Sequence, residues 1–427
     1  MRAGRPTRNA PHRSALSLAF LIIFLDILGL GLLLPVLPLL VLAGPDRVIP
    51  DGWSTGDGFI LLGLLAAAYP MLQFFSSPIL GQLSDRFGRK PVLAVSLAGT
   101  AVGYALFAYA IVTKNIPLLF LSRMIDGVSA GNISVAQAVI ADVSPAEQRT
   151  RNFGFIGAAF GLGFIIGPFI GSKLASPGLD IFGLFTTPAW FGAATVFGAA
   201  ALLAVLNLTV LIYKLPETHV KKHRVHTDIT RPFHNIRLAA SLPGLNVLFP
   251  VLFLYFAGFT LFTTFFQLNL AERLDFSPSS VGNYFAFLGL SVVLTQLLVT
   301  PRIARRVSNS SVLRWALPGA GVGLLALILT DDVRLVLLFT PLFAVLNGLA
   351  RANGTALVSS LAGAKAQGRV LGINSSVQAL AQAIPLAVGG FLAAIAVTLP
   401  IFVAAGCMML AGVVFVSWFH APKPTYE

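Results

Sequence analysis

Long apolar runs, separated by short charged stretches, repeat along the whole of this chain and limit its fold more than any other feature. Each run holds roughly 20 residues or more, enough for a helix rising about 1.5 Å per residue to cross a bilayer core of about 30 Å. A transmembrane β-barrel would instead need alternating segments of about 10 residues. The runs therefore predict an all-α membrane protein.

Composition agrees with this prediction. Hydrophobic residues make up 56% of the 427 residues and charged residues 11%, whereas a soluble globular protein carries about 25% charged residues. The single cysteine, Cys407, lies in the last apolar run, so it cannot form a disulfide within the chain. We interpret it as a small apolar residue.

Twelve spans are predicted, and the chain is expected to keep the first one. An apolar run from about Ala15 to Ala43 follows a basic N-terminal stretch and is too long for the apolar region of a cleavable signal peptide. The spans are placed at residues 15–43, 58–82, 91–113, 115–142, 152–176, 188–213, 245–270, 279–301, 312–330, 333–359, 367–395 and 397–419.

Lys and Arg set the predicted orientation, because cytoplasmic loops of membrane proteins are enriched in both. With the N-terminus in the cytoplasm, the segments on that side hold 22 of the 29 Lys and Arg residues, and the loops on the other side hold five. Both termini are then cytoplasmic, and the protein is expected to be a multi-pass protein of the cell inner membrane. The same placement explains the net charge of +13 without nucleic acid as a partner.

The longest predicted cytoplasmic loop divides the chain into two halves. Asp126-Gly127 in the fourth span matches Asn347-Gly348 in the tenth, which favours an internal repeat over chance similarity between apolar helices. The predicted segments are a cytoplasmic N-terminal tail, an N-terminal six-helix bundle, a cytoplasmic linker, a C-terminal six-helix bundle and a cytoplasmic C-terminal tail, at residues 1–14, 15–213, 214–244, 245–419 and 420–427.

Three histidines of the linker, His219, His223 and His226, lie close to Glu217 and Asp228 in the sequence. Such a group can bind a metal ion. A solvated basic linker near anionic lipid headgroups is the simpler explanation of the segment. We therefore expect no metal.

The loop after the second span reads GQLSDRFGRKPVL from Gly81 to Leu93. A glycine lets two helix backbones approach closely, and a carboxylate is stabilised at the N-terminus of a neighbouring helix. A plain positive-inside loop needs the basic residues of this segment but neither Gly81 nor Asp85. The residues of the pattern are Gly81, Asp85, Arg86, Gly88, Arg89 and Lys90.

This loop resembles the cytoplasmic signature of the major facilitator superfamily. The resemblance implies the major facilitator fold, with twelve transmembrane helices in two pseudo-symmetric six-helix bundles, and it implies a monomer. It also implies that Asp85 helps to close the cytoplasmic side by contacting the start of the eleventh span, near Gln367.

The fifth span is rich in glycine and reads GAAFGLGFIIGPFIG over residues 157–171. Glycines four residues apart share a helix face and permit tight packing, while a proline removes one backbone donor and bends the helix. Small-residue packing alone is one explanation. The other is a resemblance to the motif of proton-coupled antiporters in the same superfamily, carried by Gly163, Gly167, Pro168 and Gly171.

The first span, LDILGLGLLLPVLPLL over residues 25–40, and the segment LPETH after the sixth extend the resemblance. Together they make the chain similar to the twelve-span drug:proton antiporters, in particular to the tetracycline-efflux branch. The similarity is close over the N-terminal half and looser over the second. After the eighth span, Thr300 and Ala304 replace the expected glycine and aspartate.

Four ionisable residues lie deep inside the predicted spans: Asp26, Arg123, Asp126 and Arg351. Each charge at mid-membrane costs about 2.5–3.5 kcal/mol on insertion scales, so it needs a partner, a wet cavity or a function. In the resembled fold their spans line a central cavity, and we expect them to couple proton and substrate movement, with Asp26 as the preferred acid. The alternatives are a structural ion pair between Arg123 and Asp126, three residues apart, and a packing role for Asp26.

Polar residues in three spans are candidates for a substrate cavity. Those of the eleventh span recur every four residues and share one helix face, where they line a cavity or bond neighbouring helices. Phenylalanines of the seventh span, Phe262, Phe265 and Phe266, offer an apolar drug pocket as well as helix packing. The polar candidates are Gln267, Asn269, Asn347, Asn374, Gln378 and Gln382.

These features predict a secondary active transporter and no enzyme. The favoured function is proton-coupled efflux, by antiport and alternating access, of a small amphipathic or hydrophobic compound such as a drug. Protons are the coupling ion, no cofactor is expected, and the partners are the small molecule and the lipid bilayer. The alternatives are export of an endogenous metabolite, such as a sugar, siderophore or lipid, and a non-transporting receptor or scaffold on a transporter fold.

Overall fold

Helices form nearly all of the regular structure in the computed structural model of this chain. The structure describes residues 10–33, 35–42, 44–144, 149–181, 185–218, 244–361 and 363–420. The helices of the first half are α1 (Ala10–Leu33), α2 (Thr55–Phe87), α3 (Arg89–Val112), α4 (Ile116–Ser129), α5 (Asn132–Val143), α6 (Arg149–Leu174) and α7 (Ala193–Lys214). A 3-10 turn follows α1 at Leu37–Leu40, and two short strands, β1 (Asp180–Ile181) and β2 (Phe185–Thr186), pair antiparallel before α7.

The second half repeats this succession of long helices. A stretch of π-helix at Thr295–Val299 joins two of its helices just before Pro301, whose missing N–H disturbs the α-helical ladder. The helices are α8 (Leu245–Arg273), α9 (Pro278–Leu294), α10 (Thr300–Ala304), α11 (Asn309–Ile328), α12 (Val333–Leu361), α13 (Gly363–Ile395) and α14 (Leu399–Trp418).

Length and hydropathy identify these helices as membrane-spanning. Within the described ranges, eleven helical segments are long and apolar enough to cross a bilayer, counting α4 with α5 as one and α9 through α10 as another. Helix α6 contributes a shorter apolar stretch, Gly161–Leu174. The predicted all-α membrane fold is therefore present, as a bundle of eleven or twelve spans.

Predicted span boundaries differ from the helices where charged residues continue a helix, as in α2. This helix begins five residues after Pro50, at Thr55, and runs to Phe87, whereas the predicted span covers residues 58–82. Ser54 and Asp57 form a capping box, in which Ser54 Oγ accepts from the N of Asp57 at 3.1 Å and the Asp57 carboxylate accepts from the N of Ser54 at 2.9 Å. Because these capping residues are polar, hydropathy alone begins the span too late, and the charged residues before Phe87 make it end too early.

Two pairs of helices join the two halves of the molecule. Within the first half α1 packs on α6, α3 on α7 and α2 on α4, and within the second half α14 packs on α8 and on α11, and α11 packs on α12. Between the halves, α2 packs on α13 and α6 packs on α9. We call the end of the bundle that carries Gly88 and Glu217 the linker end, and the opposite end, which carries residues 44–54, the far end.

Close contacts between the halves lie towards the far end. A Cβ atom added to Gly63 of α2 would lie 2.7 Å from the Cα of Gly390 in α13, and one added to Gly289 of α9 would lie 2.5 Å from the Ile165 side chain in α6. At the linker end, a Cβ added to Gly81 would meet nothing within 4 Å among the described residues. This conformation therefore holds the halves together at the far end, and Gly81 has no close neighbour among the residues that the structure describes.

Candidate functional site

The fourth predicted span is broken near its middle, between α4 and α5. The chain leaves the helical path at Ala130 and Gly131, and α2 binds the backbone there. The carbonyl of Gly127 accepts a hydrogen bond from Ser76 Oγ at 2.9 Å, and that of Ala130 accepts one from Gln73 Nε2 at 3.3 Å. The Gly127 carbonyl also accepts from the backbone N of Ala130 at 3.3 Å. The side-chain bonds add donors that lipid does not offer. Discontinuous helices of this kind mark binding sites in many transporters.

Asn132, the first residue of α5, holds Asp26 of α1 at this break. Its Nδ2 donates a hydrogen bond of 2.8 Å to Oδ1 of Asp26. Asn132 is buried and Asp26 only partly so, and Asn132 Oδ1 has no hydrogen-bond partner among the described residues. The first turn of a helix carries a partial positive charge, which stabilises a nearby carboxylate. Asp26 is thus joined to the break by a residue that sequence reasoning did not select.

Arg123 and Asp126 form an ion pair inside the first half. Nη1 of Arg123 lies 3.3 Å from Oδ2 of Asp126, and both side chains are buried. The guanidinium carbon of Arg123 also lies 4.7 Å from the ring centroid of Phe107, 5.6 Å from that of Tyr104 and 5.5 Å from that of Phe197. These rings belong to α3 and α7. In this conformation Arg123 therefore points into its own half, as the ion-pair alternative predicts.

Two tyrosines connect this ion pair with Asp26. The phenol groups of Tyr69 in α2 and Tyr104 in α3 interact electrostatically with both aspartates and with Arg123, and the carboxyl groups of Asp26 and Asp126 interact with each other. Sequence reasoning missed both tyrosines because an isolated aromatic residue in an apolar run usually indicates packing. The one feature that could have pointed to these tyrosines as neighbours of the charged residues was the polar hydroxyl of each phenol near the middle of a span.

Arg351 lies in the second half, on α12, nearer to the linker end than to the far end. Its guanidinium carbon lies 5.7 Å from the ring centroid of Phe259 on α8, and it interacts electrostatically with the phenol of Tyr255. Both Arg351 and Phe259 are partly exposed. The structure thus groups three of the four predicted charges in the first half, and Arg351 lies in the second.

Three of the predicted cavity residues are buried inside the second half. Asn347 Oδ1 accepts a hydrogen bond from the Tyr255 hydroxyl at 2.6 Å, and Gln267 Nε2 donates one to the Thr264 carbonyl at 3.0 Å. Gln267 and Asn269 lie in the last turns of α8, towards the far end. In this conformation all three side chains pack between helices.

The three predicted residues of α13 are at i, i+4 and i+8 and differ in their accessibility. Asn374 is buried, and its Oδ1 has no hydrogen-bond partner among the described residues. Gln378 and Gln382 are partly exposed. Among the predicted charged and cavity residues, Asp26 and Arg351 are partly exposed like these two glutamines.

Arg89 organises the loop between α2 and α3 at the linker end. Its Nη1 lies 2.6 Å from Oδ1 of Asp85 and 2.6 Å from Oγ of Ser84, and its Nε donates to Oδ2 of Asp142 in α5 at 3.0 Å. Asp85 therefore pairs within its own loop. Its predicted contact at the start of the eleventh span involves Gln367, whose side chain lies outside the part of the chain that the structure describes.

Glu217, which follows α7, binds the backbone where the same loop enters α3. Its Oε1 accepts from the backbone N of Arg89 at 2.9 Å and its Oε2 accepts from that of Lys90 at 3.1 Å, so it caps the N-terminus of α3. Gly88 has a φ of +106°, which favours glycine, and a Cβ there would lie 2.5 Å from Glu217 Oε2. Arg86 remains exposed. Sequence reasoning did not assign this capping role to Glu217, because 127 positions separate it from Lys90.

The glycine motif of α6 faces α1 of the same half. A Cβ added to Gly167 would lie 2.6 Å from the Cα of Gly31, and one added to Gly171 would collide with the backbone of Leu32. Helices α6 and α1 therefore pack backbone against backbone, beside the segment of α1 that carries Asp26. The same face also holds Gly163 and Pro168.

Among the described residues, no group of three or more His, Cys, Asp and Glu side chains could hold a metal ion. The linker residues His219, His223, His226 and Asp228 lie outside the described residues.

A bundle of apolar helices in two packed halves, with charged residues buried at a break in one span, defines an integral-membrane transport protein. A family model described as Major Facilitator Superfamily matches the chain over residues 19–384 and 248–427. The chain belongs to the Major Facilitator Superfamily. It is accordingly a membrane transporter and not an enzyme.

Named relatives match most of the chain. A tetracycline resistance protein of class G from Vibrio anguillarum is 31% identical over 365 residues, covering 85% of this chain and 86% of the relative. A class E tetracycline resistance protein from Escherichia coli is 32% identical, covering 88% and 87%. The quinolone resistance protein NorA of Staphylococcus aureus is 30% identical, covering 92% and 93%.

Solved structures show the same fold. The human organic anion transporter MFSD10 superposes with a TM-score of 0.70 at 24% identity, covering 95% of this chain and 100% of that one. A D-xylose-proton symporter superposes with a TM-score of 0.76 at 15% identity, covering 96% and 98%. At these identities the likeness defines the architecture only.

Proposed function

We propose that this transporter exports a small amphipathic or hydrophobic compound, such as a drug, in exchange for protons, by alternating access between its two halves. The observation that carries the proposal is the position of Asp26. This carboxyl group lies within a membrane span, is partly exposed and is bound at 2.8 Å by Asn132, where the fourth span is broken. An ionisable group kept at that depth is costly unless it serves a proton or substrate pathway.

The neighbours of Asp26 support a role in proton coupling. Asp126, which pairs with Arg123, and the phenol groups of Tyr69 and Tyr104 interact electrostatically with it. A proton arriving at Asp26 changes the net charge of this cluster. Such a change favours one arrangement of the surrounding helices over another, which is the basis of coupling in a two-state transporter.

Partly exposed residues of the second half support an amphipathic substrate. Arg351 and the Phe259 ring offer a cation and an aromatic face, and Gln378 and Gln382 offer amide groups on partly exposed positions. Such a mixture of a few polar groups among apolar side chains suits a drug-sized ligand. The resistance named for the tetracycline and quinolone relatives supports the same substrate class.

The proposal includes the arrangement in the membrane. Helix α6 supplies the twelfth span, both termini and the linker end face the cytoplasm, and the protein works as a monomer in the inner membrane. The excess of Lys and Arg in the segments of the linker end supports this orientation. The far end then faces the outside, so the described conformation is closed to the outside.

Transport by purified protein in proteoliposomes tests the coupling. A proton supplies about 2.3 kcal/mol per 100 mV and about 1.4 kcal/mol per pH unit, which is enough to concentrate a drug by tens-fold or more. An imposed pH gradient should drive uphill accumulation of tetracycline or a fluoroquinolone. Asp26→Asn should abolish that accumulation while leaving drug-for-drug exchange, because exchange needs binding and rocking but no proton.

Asp51→Asn is the matched control, since Asp51 is exposed in the far-end loop. Its accumulation should equal that of the parent protein. Drug flux that ignores the pH gradient and is unchanged in Asp26→Asn would remove the coupling from the proposal.

A further inference from the structure

Lys173, in the last turn of α6, reaches across the boundary between the two halves. Its Nζ donates a hydrogen bond of 2.6 Å to Oγ of Ser279 and one of 3.0 Å to Oδ1 of Asn283, both in α9. Its ammonium group also lies 5.2 Å from the ring centroid of Phe169 on its own helix. One side chain of the first half therefore binds two side chains of the second, at the far end.

The helices below this contact lie exceptionally close together. A Cβ added to Gly282 of α9 would collide with the Ser172 side chain, and one added to Gly289 would lie 2.5 Å from Ile165. Glycine at these positions lets α6 and α9 approach closely, and Lys173 binds across the same pair of helices. Opening of the far end must therefore break the bonds of Lys173 at the same time.

A second interface closes with it, on the other side of the bundle. A Cβ added to Gly56, at the start of α2, would lie 3.5 Å from the Cβ of Ala394, near the end of α13. Gly63 and Gly390 pack one to two turns deeper between the same helices. The two interfaces lie at the same end of the molecule, so the distance between residues 56 and 394 reports whether that end is open.

We propose that Lys173, Ser279 and Asn283 form a latch that holds the substrate pathway closed at the far end and sets how readily it opens. We call these three residues the far-end latch. Lysine suits this role because its long stem spans the gap and its three donors serve both acceptors. Its position in the last turn of α6 also complements the partial negative charge of that helix end.

The latch rests on the alternating-access part of the proposed function but not on proton coupling. It acts through the position of the helices and uses neither Asp26 nor the partly exposed residues Arg351, Gln378 and Gln382. The two proposals therefore fail separately. If a pH gradient had no effect on flux, the proposal of proton coupling would fail and that of the latch would stand. If the latch variants had no effect on opening, the proposal of the latch would fail and that of proton coupling would stand.

Cysteine labelling tests the latch, and this chain has a single native cysteine to remove. In a Cys407→Ser background, Ala394→Cys places a thiol in the interface that opens. Its rate of reaction with a maleimide in lipid nanodiscs measures the open fraction of the far end. A Gly56→Cys/Ala394→Cys pair provides the closed reference, because a Cβ separation of 3.5 Å lies within the range of disulfides. Oxidation of the pair should protect residue 394 and stop transport, and reduction should restore both.

Lys173→Met should raise the labelling rate about tenfold, the factor expected when partly exposed charge-assisted hydrogen bonds are lost. Asn283→Ala should raise it about threefold because one bond remains. Lys173→Arg should keep the parent rate, since arginine also carries donors to both acceptors. Lys114→Met is the matched control, because Lys114 is an exposed lysine in the turn between α3 and α4.

Labelling rates within twofold of the parent in both Lys173→Met and Asn283→Ala would overturn the latch. An equal increase in Lys114→Met would overturn it as well, because the effect would then be general loosening. The closed reference must stay protected in every variant, which shows that the interface has folded.

Discussion

The Nδ2 atom of Asn132 lies 2.8 Å from the Oδ1 atom of Asp26, across 106 positions of sequence. This bond joins α1 to the first residue of the helix that follows the break in the fourth span. On the α1 side, Asp26 lies beside the segment that packs backbone to backbone on α6. Helix α6 in turn packs on α9 of the other half. Two helix contacts, α1 on α6 and α6 on α9, therefore connect the helix that carries Asp26 with the far-end interface.

Replacing Asn132 with alanine should destabilise the protein by about 1–3 kcal/mol, because it leaves a carboxylate inside the membrane without its amide donor. The cost should fall when Asp26 is also changed to asparagine, since the charge is then absent. Unfolding in detergent of the two single variants and the double variant measures this coupling directly.

Asn207→Ala is the control for that cycle. Asn207 also donates to α1, from its Nδ2 to the carbonyl of Ile22 at 2.9 Å, but its acceptor is neutral. It should lower stability by about 1 kcal/mol and show no coupling with Asp26→Asn. Additivity of Asn132→Ala with Asp26→Asn, within about 0.5 kcal/mol, would contradict the importance of the bond.

Gly167→Ala should destabilise the packing of α6 on α1. The added Cβ would lie 2.6 Å from the Cα of Gly31, and backbone atoms cannot move aside as a side chain can, so the expected cost is about 1–3 kcal/mol. Gly198→Ala in α7 is the matched control because its Cβ would meet nothing within 4 Å among the described residues. Thermal unfolding followed by tryptophan fluorescence compares them, and equal melting temperatures would refute the close contact.

Gly88→Ala should disrupt the linker-end loop. Its φ of +106° strains any residue with a Cβ, and that atom would lie 2.5 Å from the carboxylate that caps α3. The expected cost is about 1–3 kcal/mol. Gly81→Ala, seven residues earlier, should be nearly neutral because its Cβ meets open space among the described residues. Yields of folded monodisperse protein and melting temperatures distinguish the two, and an equal loss in Gly81→Ala would argue against this explanation.

Arg89→Lys should weaken the link between α2 and α5. Arginine binds Asp85 and Asp142 with different nitrogen atoms, and a lysine presents one nitrogen in place of this fork. The expected cost is about 2 kcal/mol, because Arg89 is buried and one carboxylate loses its donor. Arg86→Lys should change stability by less than about 0.5 kcal/mol, since Arg86 is exposed. Melting temperatures in detergent again give the measurement. If Arg89→Lys melted at the same temperature as the parent protein, the link between α2 and α5 would not be needed for stability.

Hydropathy and charge predicted most of the architecture because lipid requires every span to be a long apolar helix whose backbone groups are all hydrogen-bonded. The fourth span shows where that requirement is insufficient. Residues 115–142 were predicted as one continuous helix, and nothing in their own sequence forbids it. The break depends on Ser76 and Gln73 of another helix, which donate to the freed carbonyl groups. A single sequence contains no information about that pairing.

The candidate site shows the same division. The ion pair of Arg123 with Asp126 was one of two alternatives, because three residues along a helix bring side chains together, and it forms at 3.3 Å. The aromatic rings around Arg123, the amide that holds Asp26 and the latch lysine all depend on contacts between distant helices. In the sequence, Lys173 was only one of the five Lys and Arg residues assigned to the non-cytoplasmic side when the orientation was predicted.

Glu217 bears on where this polypeptide can be cut. The residue was assigned by sequence to the linker of residues 214–244, yet it caps α3 through the amides of Arg89 and Lys90. If the chain were expressed as two fragments divided at residue 214, Glu217 would belong to the second fragment. The N-terminus of α3, in the first fragment, would then lack its capping carboxylate. Division after residue 218 would keep this carboxylate on the same fragment as α3, and it is the place to sever the chain for split-protein reconstitution or for insertion of a fluorescent reporter.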